Sequence, residues 1–304
     1  MECAGVTELD TRIDLYTKAA EETASGVIRL YSTSFGLASK LLDPVARRHI
    51  ENIYSLVRLA DEIVDGVAEE AGVSKKEAGT MLDQLETDTE RAMQTGYSTN
   101  LIVHAFAHSA RAVEIDDTLT APFFASMRAD LSKKAHNQKS FERYVYGSAE
   151  VVGLMCLKAF VQGVSYSAAE HEQMISGARA LGAAFQKVNF LRDLAVDFEA
   201  LGRSYFPGVT PDSMDEATKN RLLDDIEKDL AESARALPLL PARSRKAVAL
   251  AQALFDELGK RLRKTPASVL LTRRVSVPNL RKTWLAGRVL SGWLPGAEHR
   301  GEER

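Results

Sequence analysis

Only two cysteines, Cys3 and Cys156, occur in the 304 residues, and they lie far apart. No disulfide framework and no thiolate cluster can organise such a chain. The opening MECAGVTELD lacks the basic stretch and apolar stretch of a secretory signal, so a cytoplasmic chain with free thiols is expected. No run of about 18 apolar residues is present, which argues against a bilayer span while leaving peripheral attachment open. Charge of one sign is also missing: 39 basic and 42 acidic residues give a net charge of -3, with no global bias toward nucleic acid. Proline is sparse as well, with Pro122 alone between Pro44 and Pro207. Alternation at period two and Asn-Gly hairpin signals are lacking, which excludes a sheet-based fold.

What fills that interval is apolar residues at three- and four-residue spacing, such as Ile50, Ile53, Tyr54, Val57, Ala60, Ile63 and Val64. This is helical periodicity. The spacing predicts helices over about 9–40 (with a break near Ser25-Gly26), 45–66, 74–95, 98–113, 117–135, 138–163, 168–201, 215–235, 242–263 and 278–291. Asp43 before Pro44 reads as an N-cap with proline at the first helical position. No linker or composition shift divides the chain, so one all-helical domain over 1–295 is expected, with 296–304 as a frayed tail. With 45% hydrophobic residues it can bury a sizeable core.

One short pattern occurs twice. "VRLADEIVDG" sets Asp61 and Asp65 four apart behind Arg58, and "NFLRDLAVDFEALGRSYFP" sets Asp193 and Asp197 four apart beside Arg192. On a helix each pair projects two carboxylates to one side, where they repel. A solvated acidic face would explain either pair alone. Here, though, the neighbours are apolar, and Gln186 and Asn189 extend a polar stripe one and two turns before Asp193. Two such helices facing each other would bring four carboxylates to a cavity wall. Hard oxygen ligands from separate helices describe Mg²⁺, with Mn²⁺ as an alternative, bound together with phosphate. Arginine's planar fork suits the phosphate oxygens. His104 and His108 share a helical face but have no third ligand near them, and read as ordinary core or surface histidines.

Mg²⁺ on a diphosphate neutralises the leaving group as a C–O bond breaks, and a carbocation remains that must be shielded by apolar and aromatic walls. Phe35, Tyr54, Tyr144, Tyr146, Phe160, Phe185 and Phe190 are candidates for such a wall. Between Lys260 and Lys282 stand eight Lys/Arg and no acidic residue, a stretch suited to anionic phosphate or to a membrane surface.

Five segments resemble the squalene/phytoene synthase family, and its bacterial phytoene synthases in particular: YSTSFGLASKLL (31–42), IYSLVRLADEIVDG (53–66), YVYGSAEVVGLM (144–155), LGAAFQKVNFLRDLAVDFEALGRSYFP (181–207) and RVSVPNLRK (274–282). The resemblance implies a helical isoprenoid-synthase bundle around an apolar cavity. It implies head-to-head condensation of two prenyl diphosphates, geranylgeranyl diphosphate for the phytoene branch, through a cyclopropyl diphosphate and without NADPH. By the same resemblance Asp61, Asp65, Asp193 and Asp197 hold Mg²⁺. Ser32, Ser34, Phe35, Arg58, Gln186, Asn189, Arg192, Arg203, Tyr205 and Arg274 contact substrate, and Tyr54 and Tyr144 face the reacting carbons. The product is insoluble in water, so docking on the inner membrane face is a further expectation.

The chain departs from the family's pattern at Glu62, Val196, Glu150 and Phe255. Glu62 replaces an aspartate, Val196 a frequent glutamate and Glu150 a small glycine. Phe255 falls near a tyrosine position at a different spacing and is left out of the expected site. Two alternatives stand beside the phytoene reading. One is squalene or dehydrosqualene synthesis from farnesyl diphosphate; the other is a non-catalytic assembly or lipid-binding protein. The latter would not be expected to keep four repelling carboxylates.

Overall fold

The computed structural model describes residues 11–133, 135–201 and 203–296, without the side chains of Thr33, Ser34, Val196, Asp197, Glu199, Ala200 and Leu201. Cys3 and the tail from residue 297 lie outside the described residues, as do the side chains of Ser34 and Asp197. The helices are α1 (Arg12–Tyr31), α2 (Thr33–Ser39), α3 (Pro44–Val64), α4 (Val67–Glu70), α5 (Lys75–Thr95), α6 (Leu101–Ala112) and α7 (Asp117–Ser132). They continue with α8 (Gln138–Val145), α9 (Val151–Val161), α10 (Ala168–Leu201), α11 (Glu216–Ala236), α12 (Ala242–Lys264), α13 (Ala267–Leu270) and α14 (Asn279–Leu290). Among the described residues there is no strand, only an isolated bridge between Ala135 and Ser204.

Helix starts follow the local chemistry. Asp43 accepts from the backbone N–H of Val45 and Ala46, with Pro44 behind it in α3. Thr11 and Ser74 form capping boxes with Asp14 and Glu77. The first break falls at Ser32, not at Ser25-Gly26. Gly26 is carried inside α1, while the Ser32 hydroxyl caps α2 by accepting from Phe35 N–H at 3.1 Å. A capping side chain outweighs a helical glycine that costs only about 1 kcal/mol. The stretch expected as one helix over 138–163 is instead α8, a π-helical turn at Tyr146–Glu150, and α9. By length and composition alone Gln138–Val161 could cross a membrane, but half of its most apolar part is buried inside the fold.

Three large clusters of buried side chains fill the spaces between helices, joined by shared residues such as Leu41, Phe160 and Leu181. α10, 34 residues long, spans about 50 Å and touches both the π turn and α9 at close range. Two glycines allow that approach. A Cβ at Gly182 would be driven into the Ala149 carbonyl, and one at Gly153 into the Ala178 carbonyl. Both contacts are with backbone, which cannot rotate away.

We expect Gly182→Ala to lower stability by about 1–3 kcal/mol, read as a fall of several degrees in the thermal midpoint. An unchanged midpoint would show that α10 and the π turn are not held at this distance by the missing side chain.

Candidate active site

A cavity of about 690 Å³ lies between α2, α3, α9, α10 and α12. Its wall can be read along two helices. On α3, Ile50, Tyr54, Val57, Arg58 and Asp61 face it in succession; on α10 the succession runs Met174, Ala178, Leu181, Phe185, Gln186, Asn189 and Arg192. Each helix therefore runs from apolar to polar in the chain direction. Their C-terminal ends lie together, because Arg203, just beyond α10, donates to Asp65 at 2.6 Å and to the Val64 carbonyl at 2.7 Å at the end of α3.

That charged end has an unusual balance. Helix C-termini carry negative partial charge and normally attract basic residues. The last turn of α3 carries none, but holds Asp61 and Glu62, with Asp65 as its C-cap. Asp61 forms no ion pair among the described residues, and burial, reinforced by Asp65, raises its pKa well above the ordinary carboxylate value. Asp61 is only partly exposed and borders the cavity.

Arginines neutralise the other carboxylates. Asp65, 41% exposed, turns to Arg203. Asp193 accepts from Arg192 Nε at 3.0 and 3.1 Å and from Arg274 at 2.9 and 3.2 Å. Arg58 pairs with Glu62, lies 4.4 Å from the Tyr31 ring centre, and leaves its buried Nε without a hydrogen-bond partner. The Asp197 side chain lies outside the described residues, so the expected set of four carboxylates is not seen whole; among the described residues no group of three or more His, Cys, Asp or Glu is gathered closely enough to hold a metal ion. Asp65, Asp193 and Glu62 each turn to a neighbouring guanidinium, which offsets their charge.

Ser32, Phe35, Tyr54, Arg58, Asp61, Gln186, Asn189, Arg192 and Arg274 all line the cavity. Phe35 stacks on Tyr54 with ring centres 5.8 Å apart. Tyr144, Arg203 and Tyr205 are buried and do not line the cavity, and Asp65 and Asp193 join the site through Arg203 and through Arg192 and Arg274. Tyr144 is buried and donates to Asp130 at 2.7 Å, within an aromatic group that includes Tyr205, Phe190 and His136. Burial is the main reason that the pKa of Tyr144 lies well above the ordinary phenol value, with Asp130 next. His104 is buried and lies 2.9 Å from the Thr17 hydroxyl, and His108 lies 3.3 Å from Glu21.

Comparison with known proteins places the chain in a family. A sequence model described as squalene/phytoene synthase matches residues 28–281. The chain belongs to the squalene/phytoene synthase family. It is 31% identical over 251 residues to a phytoene synthase from Pseudescherichia vulneris, covering 75% of this chain and 77% of that protein. It is 28% identical over 303 residues to a 15-cis-phytoene synthase from a Paracoccus species, covering 90% and 93%. In fold it is similar to a dehydrosqualene synthase solved with a ligand, with a TM-score of 0.77, 23% identity, and coverage of 91% and 97%. It is also similar to the squalene synthase HpnC from Alicyclobacillus acidocaldarius, with a TM-score of 0.69, 21% identity, and coverage of 82% and 95%.

Within this family member, two positions at the site were not legible from the motifs. Phe255 does line the cavity, stacking on Phe185 at 3.7 Å, although its spacing had excluded it. Asp130 is buried at 7% exposure, takes the Tyr144 hydroxyl, and lies 3.8 Å from Arg203. It thereby links α7 to the tyrosine segment and to the Gly-Arg-x-Tyr stretch. A signal existed: Asp130 continues the buried stripe of Phe123 and Met127 at helical spacing, where an aspartate is out of place. Glu150, in place of a small residue, points its carboxylate to Arg179 at 2.7 Å.

Two outcomes are expected. In metal-free protein Asp61→Asn should raise stability at neutral pH by on the order of 1 kcal/mol. A raised carboxylate pKa means that the folded state resists ionisation, so the gain should vanish below the unfolded pKa near 4 and grow as pH rises above it. Thermal melts across pH would show this, and a lower midpoint for the variant at pH 7 would refute it. Asp130→Asn keeps an acceptor for Tyr144 but removes the charge near Arg203, and should cost about 1–3 kcal/mol in denaturant titration.

Proposed function

We propose that the protein joins two molecules of geranylgeranyl diphosphate head to head, through a cyclopropyl diphosphate, to give phytoene. The observation that carries this reading is the cavity itself: apolar along most of its length, with Arg58, Asp61, Gln186, Asn189, Arg192 and Arg274 gathered at one end. Such a shape fits an ionic head on a long hydrocarbon. Several relatives carry the name phytoene synthase, which favours this branch of the family.

The residues present fit a divalent cation. Asp61 is a hard oxygen donor without an ion pair among the described residues, at a helix end that already carries negative partial charge. Asp61, Asp65, Asp193 and Asp197 would hold Mg²⁺, or Mn²⁺ in its place. When bound, Mg²⁺ supplies charge neutralisation for the departing diphosphate.

The chain's own groups do the rest. Arg58, Arg192 and Arg274 reach the cavity and are planar donors suited to diphosphate oxygens. Gln186 and Asn189 orient the head group. Taking up a diphosphate would draw Arg192 and Arg274 from Asp193 and free that carboxylate. Phe35 and Tyr54, stacked on the wall, present π faces to a cationic carbon. Leu181, Phe185, Phe255 and their neighbours keep water from it. Tyr144, Arg203 and Tyr205 act from outside the cavity lining, held by Asp130 and Asp65. No NADPH is required by a product that forms through proton loss.

The test is incubation with Mg²⁺ and either geranylgeranyl or farnesyl diphosphate, without NADPH, followed by mass analysis of the extracted hydrocarbon. A C40 product is expected, lowered on the order of 100-fold or more in Asp193→Ala as several kcal/mol of leaving-group stabilisation is lost. A C30 product alone would assign the protein to dehydrosqualene synthesis. No product from either substrate would overturn the enzymatic reading.

A further inference from the structure

No Asp or Glu occurs between Leu258 and Ala297, a stretch rich in Lys and Arg. The first part of that charge is compensated inside the fold. Lys260 pairs with Asp256 at 2.7 Å, Arg261 with Glu257 at 2.8 Å, and Arg263 with Asp224 at 2.7 Å and Glu227 at 3.0 Å. The membrane role that the sequence suggested for Lys260–Lys282 therefore gains little from this half.

The helix α14 is different. Leu285 and Val289 are buried, and the helix packs on α12. On its outer side Leu280 is 84% exposed, Leu290 52% and Trp284 44%. A surface helix ordinarily places polar residues there. Its charged residues, Arg281, Lys282 and Arg288, are all basic. Arg281 pairs with Glu257 at 3.0 Å and lies 4.0 Å from the Trp284 ring centre, and Arg288 lies 4.9 Å from the same ring and 4.0 Å from that of Trp293. Exposed Arg273 precedes the helix, and exposed Lys246 of α12 reaches the Leu290 carbonyl at 3.5 Å. Leucine and tryptophan ringed by cations of one sign match a uniformly anionic surface, and match the composition of helices that lie in a bilayer interface.

Position adds a second argument. Arg274 to Val277, which lead into α14, line the cavity, and the Arg274 side chain is 64% exposed, so the opening is here. Across the cavity, exposed Tyr31 also lines it, next to Leu30 at 81% exposure.

We propose that α14 docks on an anionic membrane: Leu280, Trp284 and Leu290 enter the boundary between head groups and acyl chains, and the basic residues meet lipid phosphates. The cavity opening is then held against the membrane. Binding of this kind does not depend on which diphosphate the enzyme accepts.

The test uses the full chain and vesicles of phosphatidylcholine with or without phosphatidylglycerol. Sedimentation with the anionic vesicles should weaken about tenfold for each leucine removed in Leu280→Ser and Leu290→Ser, and should weaken with salt. In Trp293→Phe, Trp284 is the remaining tryptophan, and its emission should shift to the blue on anionic vesicles alone. The exposed leucine variants should retain wild-type circular dichroism, which separates lost docking from lost folding. Equal sedimentation of wild type and variants would overturn the proposal. So would a shift that tracks protein concentration without vesicles, which would make α14 an interface between copies of the chain.

Discussion

Negative charge at the polar end of an otherwise apolar cavity is the constraint to which the surrounding residues answer. Carboxylates there repel each other, and the less exposed ones are poorly screened by water. Asp193 is compensated by Arg192 and Arg274, Asp65 by Arg203, and Glu62 by Arg58, while Asp61 has no ion pair among the described residues. On the proposed reading, a bound metal ion would compensate these carboxylates while the guanidinium groups turned to the diphosphate. On that reading, one set of ion pairs replaces another, at smaller cost than desolvating bare charges.

Much of this was legible in the sequence because it depends on neighbours within a helix. Asp61 with Asp65, and Gln186 with Asn189 and Asp193, follow from helical spacing alone. The long α10 over Ala168–Leu201 and α3 from Pro44 followed from apolar period and from one proline. Contacts between helices were not legible. Asp130 meets Tyr144 from another helix, and no spacing rule connects them. Arg192 and Arg274 were read as phosphate ligands, while their present partner is Asp193, a choice that depends on what else occupies the site. The π turn escaped notice because its sequence, Tyr146–Glu150, has no local signature.

Stability and function pull on the same few positions. Gly153 and Gly182 remove side chains where α9 and α10 meet the cavity, and so govern how close its walls can stand. Cys156 also lines the cavity, with burial pushing its thiol up to about 12, so it serves as a small apolar wall residue rather than a nucleophile.

The shared direction of α3 and α10, each running from apolar to polar, leaves the cavity with one ionic pole. On the proposed reading, two prenyl diphosphates would have to enter with their heads at that pole and their tails side by side. Their first carbons are then neighbours before any bond forms, and the joined hydrocarbon begins its existence as a hairpin, bent at the bond just made.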